Sequence, residues 1–367
     1  MGGEYALLGR VVLRDRIIED GAVVIQGDTI LSVGGRRELS LPEAVTDTKG
    51  KLIAPGFVDI HCHAGGEYWA YENPSKMAAY HLRCGTTGLL CTLYRDLGHQ
   101  QTLQAIEKIQ TAMVNQRNIL GVHMEGPYLN PKYGAGAGIA RVPNRAEYTE
   151  YIKSGIIRQW TFAPELDGTD AFLADIKTAG IVPAIGHSEA SPERVYAVCD
   201  RGVKIVTHLA NATGSSIVPT RYSGTIETSF DHAALLRDDL FYEVICDERG
   251  VHVRRDLIKL IIKTAGVDRI VGITDACTGS ADGNDVNFLN GEIMGSKLTM
   301  QKVARNFLKL GLGICDIFKI TSFNPACAIG VDGLTGSLDN GKLANLIVTD
   351  DRFHAVHVIP SRELILP

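Results

Sequence analysis

The sequence predicts an α/β fold: a (β/α)8 TIM-like barrel with a small β-sandwich domain formed by the N- and C-terminal segments. Three observations predict it. From Glu4 to about Ile53 the pattern is short and alternating, and "GAVVIQGDTILSVGG" reads as two strands joined at Gly27-Asp28, with helix signals nearly absent. After Pro55 the texture changes to apolar, β-rich runs: "GTTGLLCTLY", "NILGVHMEG", "QWTFAPE", "IVPAIGHS", "VKIVTHLAN", "FYEVICDE" and "RIVGITDA". Between them lie stretches such as "HQQTLQAIEKIQTAMV", "DAFLADIKTAG" and "SPERVYAVCDRG", whose apolar residues recur at helical spacing. The tail "GSLDNGKLANLIVTDDRFHAVHVI" returns to hairpin-like alternation and is expected to pair with the N-terminal strands. This divides the chain into a small domain of residues 1–54 and 341–367 and a barrel of residues 55–340. No internal repeat stands out beyond the strand-helix rhythm.

Composition narrows the function classes. With 367 residues, 45% of them apolar, the chain can bury a sizeable core. A net charge of -5 and the lack of any Lys or Arg block point away from nucleic acid and anionic membrane, leaving a small molecule as the expected partner. No apolar stretch approaches the roughly 18 residues of a membrane span. The start "MGGEYALLGRVVLRDR" lacks the apolar core of a secretory leader, and the eight cysteines form no CxxC pairs. We expect unpaired thiols and a cytoplasmic location.

Polar residues fall where a barrel enzyme needs them. The first barrel run, "FVDIHCHAGG", ends in His61 and His63, two apart and so able to face one side of an extended chain while Cys62 faces the other. Glu125, Glu165, His187, His208, Asp247 and Asp275 each sit at the C-terminal end of a later run, the face on which such barrels build their sites. A hydrolytic metal ion needs about three His or carboxylate ligands and an open position for water, whose pKa it lowers to ~7. Glu125, His187 and His208 offer one such set, on three successive strands if Glu165 belongs to a shorter strand between them. His61 and His63 would add a second ion or complete the first. Asp275, in "GITDA", could face the water from across the barrel, taking its proton and returning it to a leaving amine; the alternative is a helix N-cap.

The segments "APGFVDIHCHAGG", "GVHMEGPYLNP", "IGHSEAS", "THLANAT", "GVHV" and "GITDA" resemble, in order and separation, the amidohydrolase superfamily, and within it the N-acetylglucosamine-6-phosphate deacetylases. The likeness runs from roughly Gly21 to Asp350. It implies one ion on Glu125, His187 and His208, a second in some members on His61 and His63, and Asp275 as acid/base. Mixed His and carboxylate ligands suit zinc and admit iron, manganese or cobalt, and the resemblance implies a homodimer. It also implies a phosphate site from Arg221, His252, the Asn211 side chain and the Ala212 backbone. Relatives that open rings bridge two metals with a carboxylated lysine, and the matching strand end here carries Glu125.

The expected reaction is hydrolysis of the N-acetyl amide of an amino-sugar phosphate. Departures from the family pattern bear on the substrate: Gly136 stands where a histidine or glutamine is usual, Ala210 and Thr213 replace bulkier residues, and Tyr68, Trp69 and Tyr71 enrich the segment after His63. "CDERGVHV" is also longer than the usual stretch. Another N-acyl sugar phosphate or a small cyclic amide is the alternative substrate, and a barrel used only for binding or assembly is the non-enzymatic alternative.

Overall fold

Alternating β-branched and small residues open the chain as four strands, β1 (Glu4–Val12), β2 (Ile17–Gln26), β3 (Thr29–Gly35) and β4 (Ala44–Pro55). The computed structural model describes residues 3–93, 97–134, 140–279, 284–289, 292–354 and 356–359. β4 passes through Gly56 directly into the barrel. A Cβ there would lie 2.1 Å from Thr87 Oγ1, so only glycine allows the two domains to join this closely.

Eight strand-helix units follow. They are β5 (Phe57–Cys62) with a short ribbon β6 (Ala64–Gly65) and β7 (Tyr68–Trp69) before α1 (Pro74–Arg83), then β8 (Thr86–Leu93) with α2 (His99–Met113), and β9 (Ile119–Glu125) with α3 (Arg145–Ile152). Next come β10 (Ile157–Phe162) with α4 (Thr169–Thr178), β11 (Val182–Ile185) with α5 (Pro192–Asp200), and β12 (Ile205–Val206) with α6 (Phe230–Leu235). The last two are β13 (Phe241–Ile245) with α7 (Arg255–Ala265), and β14 (Ile270–Ile273), separated from α8 (Met300–Lys309) by a ribbon of β15 (Val286–Leu289) and β16 (Glu292–Ser296). β5 and β8 to β14 are parallel neighbours in chain order. Several helices start where the sequence supplies a cap: Asn73 before Pro74, Ser191 before Pro192 and Thr299 each accept a backbone N–H.

The seam between the first and last barrel strands is closed by one side chain together with backbone hydrogen bonds. Asp59 on β5 accepts from Thr274 Oγ1 at 2.6 Å and from Thr274 N–H at 3.3 Å, and Asp275 N–H donates to the His61 carbonyl at 2.9 Å. Burial raises the Asp59 carboxyl to about 6, against the pull of those bonds.

Outside the barrel, Trp160 of β10 is fully buried, stacked on Tyr128 with ring centres 6.0 Å apart and meeting Phe172 of α4 edge-on at 5.0 Å. In the small domain, β17 (Leu346–Thr349) lies antiparallel to β4, and β18 (Val356–Ile359) to β17. The six strands form one hydrogen-bonded sheet, in the order β18-β17-β4-β1-β2-β3, and the tail therefore pairs with the N-terminal strands as its alternation predicts. Four successive residues of β2, Ala22 to Ile25, are buried, so both faces of the sheet are covered there. All eight cysteines are free. Among the described residues, no helix is long and apolar enough to cross a membrane.

Candidate metal centre

Side chains alternate in and out along a strand, so the inward positions of the barrel can be read off directly. On β5 they are Asp59 and His61, followed by His63; on β9, His123 and Glu125; on β10, Gln159 and Thr161; on β13, Glu243. All are buried, and they make the upper interior of the barrel a polar layer in place of the usual apolar filling.

Glu125 is the hub. Its Oε1 lies 2.9 Å from His187 Nε2, 3.0 Å from His208 Nε2 and 3.4 Å from His61 Nε2, while its Oε2 lies 3.1 Å from His63 Nε2. Asp275 Oδ1 is 3.3 Å from His63 Nε2 and 3.5 Å from His61 Nε2. The five ligand candidates and the acid/base candidate thus meet at one place. Two sets emerge, Glu125 with His187 and His208, and His61 with His63 and Asp275, each with its donor atoms within 4.8 Å of one another. One sequence expectation needs correction. Glu125, His187 and His208 are not on successive strands, because β10, at six residues longer than β11 and β12, stands between Glu125 and His187. Asp275, on β14, stands across the barrel from the strands that end in Glu125 and His187, as expected, and closure of the barrel makes β14 the neighbour of β5, so Asp275 also joins His61 and His63.

Orientation comes from the other ring nitrogens. His187 Nδ1 lies 3.1 Å from the Tyr133 carbonyl and His208 Nδ1 3.1 Å from the Asn211 carbonyl, so each ring turns Nε2 toward Glu125. His61 Nδ1 meets the Glu243 carboxylate at 2.9 Å. A second layer that fixes the rings in this way is what metal-ligating histidines require. His187, His208, Ala210, Ala212 and Asp275 all have left-handed φ between +27° and +66°, a conformation that costs a non-glycine residue on the order of 1–3 kcal/mol. Among the described non-glycine residues, only Lys49 and Phe353 share it outside these strand ends.

The donor set fits a divalent cation. His187 Nε2 and His208 Nε2 are 3.0 Å apart, and the buried His61 Nε2 makes no hydrogen bond. Burial opposes charge on His61, His63 and His208, yet nearby carboxylates, Glu125 for His61 and His208 and Asp275 with Glu125 for His63, hold their pKa values above the ordinary imidazole range. Burial also opposes ionisation of Glu125, which His61 and His187 overcome, placing it well below the usual carboxylate range. For Asp275, His61 and His63 likewise outweigh burial and lower its pKa. Negative carboxylates surrounded by buried imidazoles are the electrostatics that a ligand shell requires.

A cavity of about 50 Å³ opens over this cluster, lined by His63, Glu125, His208, Asp275, Cys277 and Met294 among others. A larger cleft of about 510 Å³ lies beside α4 and α5, lined by Glu165, Asp170 and Arg194, and contains none of the ligand candidates. The ligand candidates line the smaller one. Asn211 and Ala212 line the small cavity. His252 is buried nearby, its Nδ1 3.1 Å from Asp247 and its Nε2 3.0 Å from the Gly295 carbonyl, and its own carbonyl accepts from Asn211 Nδ2. Gly295 packs so tightly on Asp275 that a Cβ would sit 2.6 Å from the Asp275 carbonyl, and its φ is +56°. Arg221 is exposed on the loop before α6 and is not brought to the cavity lining; its N–H donates to Glu227.

Two strand-end acids serve the loops. Glu165 accepts from Asn130, Ser188 and the Glu189 N–H, and Asp247 accepts from the N–H groups of Arg249, Val251 and His252, which is how the longer "CDERGVHV" stretch is accommodated. Thr213 donates to Asp231 at 2.7 Å, a local role for that departure, while Gly136 lies outside the described residues. Trp69 and Tyr71 stack on each other, ring centres 5.5 Å apart. Sequence reasoning missed Glu243. Its signal was present: a carboxylate inside the apolar run "FYEVIC" must find a partner when buried.

Comparison with known proteins finds relatives along nearly the whole chain. The chain is 26% identical to N-acetylglucosamine-6-phosphate deacetylase of Haemophilus influenzae, over 97% of this chain and 98% of that protein. It is 27% identical to N-acetylgalactosamine-6-phosphate deacetylase of Escherichia coli O157:H7, over 87% and 89%. In structure it is similar to N-acetyl-D-glucosamine-6-phosphate deacetylase from Mycobacterium smegmatis, with a TM-score of 0.86, 28% identity and coverage of 98% and 99%. A mutant of that enzyme, solved in complex with N-acetyl-D-glucosamine-6-phosphate, aligns over 100% of both chains with a TM-score of 0.87 and 26% identity. The profile of the amidohydrolase family matches residues 52–363, and the chain belongs to that family.

Proposed function

We propose that this protein is a metal-dependent deacetylase that hydrolyses N-acetylglucosamine-6-phosphate to glucosamine-6-phosphate and acetate. The observation that carries this reading is the convergence of Glu125, His187, His208, His61 and His63 with Asp275 on one small cavity. A divalent ion bound there would acidify a water molecule and polarise the acetyl carbonyl. Glu125, His187 and His208 are assigned to one ion and His61 and His63 to a second; zinc suits this donor set, and iron, manganese or cobalt share its preferences.

Asp275 does the proton work. It faces the cavity ionised, takes the proton of the attacking water, and returns it to the amine as the C–N bond breaks. The phosphate is assigned to Arg221, His252, the Asn211 side chain and the Ala212 N–H, since a dianion is held best by charge-assisted bonds. A homodimer belongs to the proposal, supported by Val218, Tyr222 and Ile226, 74–88% exposed on the loop that carries Arg221. A cytoplasmic location is supported by the eight free thiols.

The relative acting on N-acetylgalactosamine-6-phosphate favours one second reading, the C4 epimer as substrate. Acetate release measured across both sugar phosphates, unphosphorylated N-acetylglucosamine and a small cyclic amide tests the assignment. We expect catalytic efficiency to be highest on N-acetylglucosamine-6-phosphate. Preference for the epimer would move the assignment to it, and equal turnover with and without phosphate would overturn the sugar-phosphate reading.

A further inference from the structure

Of the three oriented histidines, only His61 is held by a charged group. We infer that Glu243, on β13, is the positioning residue of the second ion site: its carboxylate fixes the His61 ring as the Nδ1–H tautomer and so presents Nε2 as a ligand. The inference rests on the metal-dependent reading above.

The geometry carries it. Glu243 is fully buried, and three donors converge on it: His61 Nδ1 at 2.9 Å, Gln159 Nε2 at 2.7 Å and the His208 N–H at 3.4 Å. Gln159 and the His208 backbone present N–H groups to both oxygens, so the carboxylate is set up as an acceptor on each side and the His61 proton belongs on Nδ1. That leaves a lone pair on Nε2, the buried atom that makes no hydrogen bond and lies 3.4 Å from Glu125 and 3.5 Å from Asp275. Burying a carboxylate beneath a ligand layer is costly unless it is paired, and a carboxylate behind an imidazole makes the ring a stronger donor than a carbonyl does. Glu243 also spans the two ligand sets, touching the ring of one and the main chain of the other.

Metal titration separates this role from a merely structural one. Apo-protein titrated with cobalt(II), followed by its visible absorption and by bound equivalents, should show two sites in the wild type. In Glu243→Gln the weaker equivalent should lose about 10–100-fold in affinity while the Glu125, His187 and His208 equivalent is retained as an internal control of folding. Unchanged binding of both ions, or equal weakening of both, would overturn the inference. So would a wild type holding a single ion, which leaves the deacetylase reading standing; a wild type binding none would remove that reading as well. A second measurement needs no variant: in metal-loaded wild type labelled with 15N-histidine, the His61 ring should report Nδ1–H, and Nε2–H would overturn the inference.

Discussion

The two ligand sets are built by opposite means. His187 and His208 hang from backbone forced into the left-handed region and are aimed by main-chain carbonyls, whereas His61 comes off regular strand and is aimed by the buried Glu243 carboxylate. The His187 and His208 rings take their geometry from loop shape, the His61 ring from charge. Damage to charge should therefore disable the second and spare the first. Glu125, with one oxygen toward each, is the point at which the two cannot be separated.

Asp275 tests the chemistry apart from the ligands. Asp275→Asn keeps the volume and removes the proton acceptor, and turnover should fall by about 10²–10⁴-fold with bound metal retained. Near-normal acetate release by this variant would assign the base elsewhere. Replacing His61 and His63 together by Ala should lower bound metal by one equivalent, as read by elemental analysis, with the Glu125, His187 and His208 equivalent kept. Loss of every equivalent would erase the distinction between the two sets.

Arg221 lies outside both. Arg221→Ala should reduce kcat/KM on the phosphorylated substrate by roughly ten- to a hundredfold, leave the unphosphorylated analogue little affected, and leave metal content untouched. Equal losses on both substrates would take phosphate recognition away from it.

Protonation gives a finer contrast. His61, His63 and His208 are held above the ordinary imidazole range in the metal-free chain, so near pH 7 cation binding must displace protons and affinity should weaken as pH falls. Calorimetric titration in two buffers of different ionisation heat reads the released protons; no buffer dependence would contradict the electrostatics. In the metal-free fold these raised values favour stability at pH below about 6.5, where the unfolded imidazoles are also charged, and the benefit is lost as pH rises through the raised values.

The smallest effect is expected at Asp247. Burial favours its neutral acid, but the His252 ring and the Val251 and His252 N–H groups lower its pKa from 3.8 to about 2. Its contribution to stability is present above about pH 4 and lost as pH falls through about 2. Asp247→Asn should flatten that acid limb of the melting temperature while metal content at pH 7 is kept.

Much of this was legible in the sequence. The strand-helix rhythm located the barrel, and polar residues ending apolar runs marked its active face, because a buried strand has little other reason to finish in His or Glu. What escaped was closure and depth. A linear reading cannot show that β14 meets β5, so it does not reveal that Asp275, across the barrel from Glu125 and His187, also adjoins His63. Nor does an end-of-strand rule catch Glu243, two residues inside its strand, or distinguish Glu165 and Asp247, which turn to loop N–H groups, from Glu125, which turns to the ligands.

The central claim is that these clusters hold ions that the reaction needs. The most direct measurement is acetate release from N-acetylglucosamine-6-phosphate by protein of known metal content, before chelation, after it, and after zinc is restored. The account predicts turnover that vanishes with the metal and returns with it. Turnover unaffected by complete metal removal, or none from fully loaded protein, would contradict it.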